Sequence, residues 1–207
     1  MARNTYQHLH GRARTRFFNL ISGIKSANLI GTHNTDGLTN LAVFNSVVHI
    51  GANPATMGFI NRPLTVERHT YENIRSTRQF TINAISRNMV ERAHATSAKY
   101  DRRTSEFKAC GFEPYYAREF DAPFVRESPI QIGLEYTEEH PLSNGTILIV
   151  GNVVQVQIAD GAVEQDGNIN LSQLGIVGVS GLENYHETQL YRRMAYARPD
   201  ESSRQIR

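Results

Sequence analysis

The chain has 207 residues, 40% of them hydrophobic, with 22 lysines and arginines against 20 aspartates and glutamates for a net charge of +2. That size supports one domain with a sizeable core, no apolar run approaches the roughly 20 residues of a spanning helix, and the near-balance of charge argues against nucleic acid as a dominant partner. The single cysteine, Cys110, excludes an internal disulfide framework and a cysteine-built zinc or iron–sulfur site, and fits a reducing, cytoplasmic compartment.

Residues 1–14 read as a flexible basic arm carrying Arg3, Arg12 and Arg14, with no apolar stretch that would make it a signal peptide. Residues 16–24 suggest a short helix or turn with Phe17, Phe18, Leu20 and Ile21 on its apolar face, ended by Gly23. A first strand is expected over 25–32. A turn over 34–40 follows, rich in Asn, Asp, Thr and Gly because those residues tolerate turn conformations. Two apolar strands over 41–50 and 56–60 flank a turn at residues 51–54, and the first carries two polar residues, Asn45 and Ser46.

Beyond Pro63 the period changes. Tyr71, Ile74 and Arg75 recur at helical spacing, which predicts a helix over 68–77 with Thr65 or Thr70 as its cap. Residues 79–85 alternate as a half-buried strand. A helical region is expected over 89–108 and a long loop packed by aromatic rings over 112–126. Strands are expected over 129–136 and 146–158, around a turn at 138–145, with Gly151 as a bend or bulge in the second. A glycine-spaced segment over 174–182 leads to a short helix over 185–194 and a tail, of which 201–207 is polar. Strands in succession without regularly alternating helices favour a mainly β, closed antiparallel barrel over a doubly wound sheet.

The glycines Gly175, Gly178 and Gly181 lack the spacing of a dinucleotide fingerprint, and no phosphate-loop lysine motif is present. The histidines are scattered, and no spacing proposes the three or four convergent ligands of a metal site. His94 and Ser97 stand three apart on the expected helix, where they can touch, and read as a solvated helix face. What remains is a set of polar residues around the expected barrel strands: Thr39, Asn40, Asn45, Ser46, Asn61, Arg62, Arg68, Thr70, Asn83, Ser97 and Lys99. A phosphate calls for N–H and hydroxyl donors with one or two cations, often at a helix start. Asn61 and Arg62, followed by Arg68 and Thr70, supply that combination. A flat ring with a polar edge calls for an apolar shelf and backbone donors and acceptors, which Asn40, Leu41 and Ala42 can offer.

The run TNLAVFNSVVHIGANPATMGFINRP, then RHTYENIRSTRQFTINAI and ERAHATSAKYDRRTSEF, resembles the flavin reductase-like family, whose domain is the FMN-binding split barrel. ESPIQIGLEY and TILIVGNVVQVQI resemble its later strands, and GLENYHETQLYRRMAYARP its C-terminal closure, so that the likeness spans about residues 15–200. The resemblance implies a six-stranded antiparallel Greek-key barrel with flanking helices, forming a homodimer with one FMN per subunit near the interface. It implies hydride transfer from NADH or NADPH to flavin, with a flavin-dependent monooxygenase or another redox protein as partner, and no membrane. The alternative is a non-enzymatic FMN-binding electron-transfer protein. By the same resemblance the backbone of Asn40, Leu41 and Ala42 lies along the ring, and Asn45 and Ser46 approach it. Asn61, Arg62, Arg68 and Thr70 hold the phosphate. Ser97, Lys99 and His140 reach the same cofactor, across the dimer interface.

Overall fold

Alternation of period two dominates the middle of the chain. The computed structural model, which describes residues 6–199, 202 and 204–206, turns it into an antiparallel sheet. A helix, α1 (Gly11–Leu20), leads into β1 (Ile24–Ser26), β2 (Asn28–His33), β3 (Thr39–Phe44), β4 (Val48–Ala52) and β5 (Ala55–Asn61). Helix α2 (His69–Thr77) and β6 (Gln79–Ala84) follow, then a 3₁₀ turn, α3 (Val90–Ala95) and α4 (Glu106–Ala109). The rest is β7 (Pro114–Tyr115), β8 (Phe124–Val125), β9 (Ile130–Pro141), β10 (Ile147–Ile158), β11 (Val177–Ser180), β12 (Asn184–Glu187), β13 (Arg193–Met194) and β14 (Gln205–Ile206).

Seven strands form the main sheet in the order β3-β2-β6-β9-β10-β5-β4. Its two edge strands, β3 and β4, are neighbours in the chain, separated only by residues 45–47. The sheet must therefore roll until its edges meet. β3 and β4 become two halves of one bent strand, and seven hydrogen-bonded strands make a six-sided barrel with a split. The uninterrupted strand expected over 41–50 is thus corrected to two. At the split, Ser46 Oγ donates to the Ile60 carbonyl at 3.1 Å and accepts the Ile60 N–H at 3.2 Å. One hydroxyl stands in for the ladder bonds lost at the bend. Ser46→Ala is expected to cost about 1–2 kcal/mol, the sum of two modest hydrogen bonds. Urea denaturation reads this loss, and an unchanged midpoint would show that the seam is held elsewhere.

The barrel interior is built from Ile30, Phe59, Phe80, Ile82, Leu134, Ile147 and Ile149, and Ile74 of α2 closes one end. Phe59 stands edge-on to Phe44 and Phe80, with centroids 4.9 and 5.7 Å apart. Gly151 lies at a register shift between β9 and β10, where an added Cβ would stand 2.9 Å from the Phe80 ring. The expected bend is therefore also a packing requirement. A second core lies outside the barrel wall, where Leu29, Leu41, Met89, Phe107, Phe112, Val125, Val177 and Val179 pack with the buried Cys110.

Several expected elements differ. The helical region over 89–108 is two short helices, because Thr96 Oγ1 bonds back to the Ala93 carbonyl at 2.7 Å and the polar residues beyond it have no apolar face to bury. The helix expected over 185–194 is instead β12, paired with β11 through a turn at Gly181, whose φ is +64°, and an extended segment reaching β13. The expected strand over 25–32 is β1 and β2, in different sheets. The turn over 138–145 is shorter because β9 runs on to Pro141, and the loop over 112–126 contains the β7–β8 pair. Helix α1 begins within the expected arm, whose residues 1–5 lie outside the described residues. In the tail, Gln205 and Ile206 pair with Met194 and Arg193.

Candidate cofactor site

β5 ends at Asn61, and Arg62 and Pro63 carry the chain out of the barrel toward α2. Arg68 precedes that helix. Its Nε donates to the Pro63 carbonyl at 3.3 Å, and its N–H donates to Glu72 Oε1 at 3.3 Å. Burial and the neighbouring Arg62 charge lower the pKa of the Arg68 guanidinium. Arg62 is exposed and has no ion-pair partner among the described residues. Neither guanidinium forms an ion pair among the described residues, and two unpaired cations on one short segment form a site that an anion relieves. The chemistry of this donor set fits a phosphate.

The expected hydroxyl cap is not formed: Arg68 holds the cap position and its side chain makes no capping bond, while Glu72 accepts its N–H. Thr70 turns inward instead. Asn40 Nδ2 donates to Thr70 Oγ1 at 3.1 Å and to Thr32 Oγ1 at 3.3 Å, and Asn73 Nδ2 donates to Thr32 Oγ1 at 3.1 Å. All four residues are buried. They form a polar plug that fixes the start of α2 over the barrel end, so the side chains of Asn40 and Thr70 are already committed.

Along β3, Leu41 donates its N–H to Glu106 Oε2 at 3.0 Å, while Ala42 pairs with Ile30 of β2. Asn45 Nδ2 donates to the Gly181 carbonyl at 2.6 Å, which ties the barrel split to the β11–β12 turn. Asn61 is buried and donates to the Arg62 carbonyl at 2.8 Å. Asn83 is also structural: its Nδ2 donates to Thr81 Oγ1 at 2.8 Å and its Oδ1 accepts the Val125 N–H at 2.9 Å. The structure therefore gathers Asn40, Leu41, Ala42, Asn61, Arg62, Arg68 and Thr70 around the β3 edge and the α2 start. Ser97 and Lys99 are exposed beyond α3 and make no side-chain bond to this group. His140 is exposed on β9, 3.2 Å from Glu138 and opposite Leu148, which faces Ile60 on β5. Ser97 meets His94 only through its backbone N–H; the His94 ring lies 3.4 Å from the Tyr185 hydroxyl.

Sequence reasoning missed a strap over residues 99–106. Arg102 bonds to Glu72 at 2.5 Å and Glu67 at 3.3 Å, and Ser105 Oγ meets Thr39 Oγ1 at 2.6 Å. Burial alone would raise the Glu72 pKa, but Arg102 and the Arg68 N–H hold it below the usual carboxylate range. No periodic signal marks such a strap; its charges read as solvent-facing until α2 and β3 are brought beside them. In the glycine-spaced segment, Gly178 lies on β11 where a Cβ would stand 2.4 Å from Ile24 Cγ2, so that glycine serves strand contact.

The family model for the flavin reductase like domain matches residues 24–187. The chain belongs to the flavin reductase-like family. A protein of Shewanella frigidimarina, assigned as a flavin reductase with a split barrel domain, is 44% identical, covers 95% of this chain and 98% of its own, and superposes with a TM-score of 0.90. The component B of nitrilotriacetate monooxygenase from Bacillus cereus shares the fold at 17% identity, with 92% and 96% covered and a TM-score of 0.83. An Aquifex aeolicus protein is 21% identical over 173 residues, 81% of this chain and 88% of that protein. The family's split barrel accounts for the divided β3–β4 strand, and membership makes the chain an oxidoreductase-type flavoprotein. Among the described residues no helix is long and apolar enough to cross a membrane.

Proposed function

We propose that this chain binds FMN and passes reducing equivalents from NADH or NADPH through it. Membership of a flavin reductase-like barrel, with two cations, Arg62 and Arg68, on the segment that leads from β5 into α2, supports this reading. An FMN held here would supply an acceptor for the hydride of a reduced nicotinamide. The chain supplies binding and orientation. Arg62 and Arg68 neutralise the phosphate, the polar plug of Thr32, Asn40, Thr70 and Asn73 keeps α2 fixed, and the outer side of β3, where the Leu41 carbonyl and the Val43 backbone face away from β2, offers the ring its edge, while the Asn40 and Ala42 backbones are paired with β2. The Asn45 and Ser46 side chains hold the bend in shape rather than touching the ring. No side chain is needed as a general acid or base for a direct hydride transfer.

A homodimer belongs to the same reading. Exposed Phe18, Ile21, Ile24, Val48 and Ile50 offer apolar surface for a second copy, and Ser97, Lys99 and His140 reach the cofactor from it. The likeness to a monooxygenase component supports a flavin-dependent monooxygenase as the recipient of reduced flavin. The purified protein, incubated with FMN and passed through gel filtration, is expected to emerge yellow and to bleach under anaerobic NADH or NADPH. A protein that stays colourless would sink the flavin reading. A yellow protein that neither nucleotide bleaches would instead be an electron-transfer flavoprotein.

A further inference from the structure

Glu106 opens the one-turn helix α4 and is only 6% exposed. Its Oε2 accepts the Leu41 N–H at 3.0 Å, beside the Thr39–Ser105 contact at 2.6 Å. A buried carboxylate is a costly way to satisfy one backbone donor, since a neutral amide oxygen accepts the same bond. Among the described residues the Glu106 carboxylate forms no ion pair, so its charge is not spent on a salt bridge.

β3 is an edge strand, and its Leu41 N–H points away from β2. Both backbone polar groups of a strand residue face the same side, and residues alternate. The Leu41 carbonyl and both polar groups of Val43 therefore line the same outer edge as Glu106. Two strand residues span roughly 7 Å, inside the physiological Debye length of about 8 Å. A group lying along this edge feels the Glu106 charge.

We propose that Glu106 is a tuning residue, whose carboxylate at the β3 edge holds down the reduction potential of the flavin bound there. This inference rests on the FMN reading. Reduction by a nicotinamide brings two electrons and one proton together as hydride, and a second proton comes from solvent. A fixed carboxylate disfavours the added negative charge until that second proton arrives. The titratable groups facing Glu106 are His69 from α2 and Tyr100 from the strap, whose hydroxyl also meets Cys110 Sγ at 3.4 Å. Burial raises the Glu106 pKa, and the Leu41 N–H, its own N–H and His69 offset this in part. The folded protein thus holds the proton to higher pH than the unfolded chain does. The resulting stabilisation is complete below the unfolded pKa and is lost as pH rises through the folded one.

The test is a spectroelectrochemical titration of FMN-loaded wild type, Glu106→Gln and Glu106→Asp. Glu106→Gln keeps an acceptor for Leu41, so FMN affinity is expected to stay within about threefold while the midpoint potential moves positive. Glu106→Asp keeps the charge and is expected to stay near the wild-type potential. A merely structural Glu106 gives the reverse order, because the shorter aspartate loses the Leu41 bond and the glutamine does not. FMN-loaded Glu106→Gln at the wild-type potential overturns the proposal and leaves the flavin reading standing; a wild type that takes up no FMN overturns both. The wild type gives a check independent of any variant's folding. Its midpoint potential is expected to change slope with pH as Glu106 is neutralised, above the ordinary carboxylate range, and a straight line there overturns the proposal.

Discussion

Gly31→Ala is expected to lower stability by about 3 kcal/mol, the upper end of what overpacking usually costs. For a chain of this length that is roughly 6–12 °C in melting temperature. Gly31 sits on β2, between β3 and β6. An added Cβ would stand 2.2 Å from the Pro123 carbonyl oxygen and 2.6 Å from Thr81 Oγ1. Neither neighbour can swing away. The Pro123 carbonyl is backbone, and Thr81 Oγ1 is already bound to it at 2.7 Å. Relief would require the strand to shift against both partners or the β8 segment to lift from the barrel. Thermal unfolding followed by circular dichroism measures the loss. A variant that melts within about 2 °C of wild type, a shift worth under 1 kcal/mol, would show that the β8 segment is not clamped to β2.

Arg62→Ala is expected to weaken FMN binding by about 1.5–3 kcal/mol, the value of a hydrogen bond to a charged group, or roughly 10- to 150-fold in Kd. Arg62 is exposed and free of acidic partners among the described residues, so its removal should leave the melting temperature unchanged. Arg68→Ala should weaken binding on the same scale. It should also loosen the start of α2, because the Arg68 side chain anchors to the Pro63 carbonyl. Added salt should weaken wild-type binding more than that of either variant, since a screened cation pair loses part of its attraction for phosphate. Equilibrium titration with FMN separates these outcomes. An unchanged Kd in both variants would place the phosphate elsewhere on the barrel.

Much of the barrel was legible without coordinates. The helix expected over 68–77 is found at His69–Thr77, and the strands expected over 79–85 and 146–158 at Gln79–Ala84 and Ile147–Ile158. These segments carry strong periodicity, and their burial agrees with their pattern. The split between β3 and β4 was not legible: Asn45 and Ser46 interrupt an apolar run, but nothing local tells a bend from a polar patch on a continuous strand. Only the meeting of the two sheet edges demands a bend. The segment 185–194 has helical spacing, yet pairing with β11 outweighs that weak local preference.

The site divides along the same line. Arg62, Arg68 and Thr70 were legible as a group because a phosphate site draws on residues close in sequence at a helix start. Their division of labour was not, since Thr70 is drawn into the plug by Thr32 and Asn40, which lie far away along the chain. Glu106 carried no signal at all, because a glutamate after Ser105 reads as a solvated charge until β3 and α2 close over it. By itself the sequence determined the mainly β character, the family and the cations of the proposed phosphate site, all of which depend on local pattern and residue chemistry. Tertiary structure alone decided which polar groups are already bonded and which charges are buried. Both depend on contacts between segments that no local pattern records.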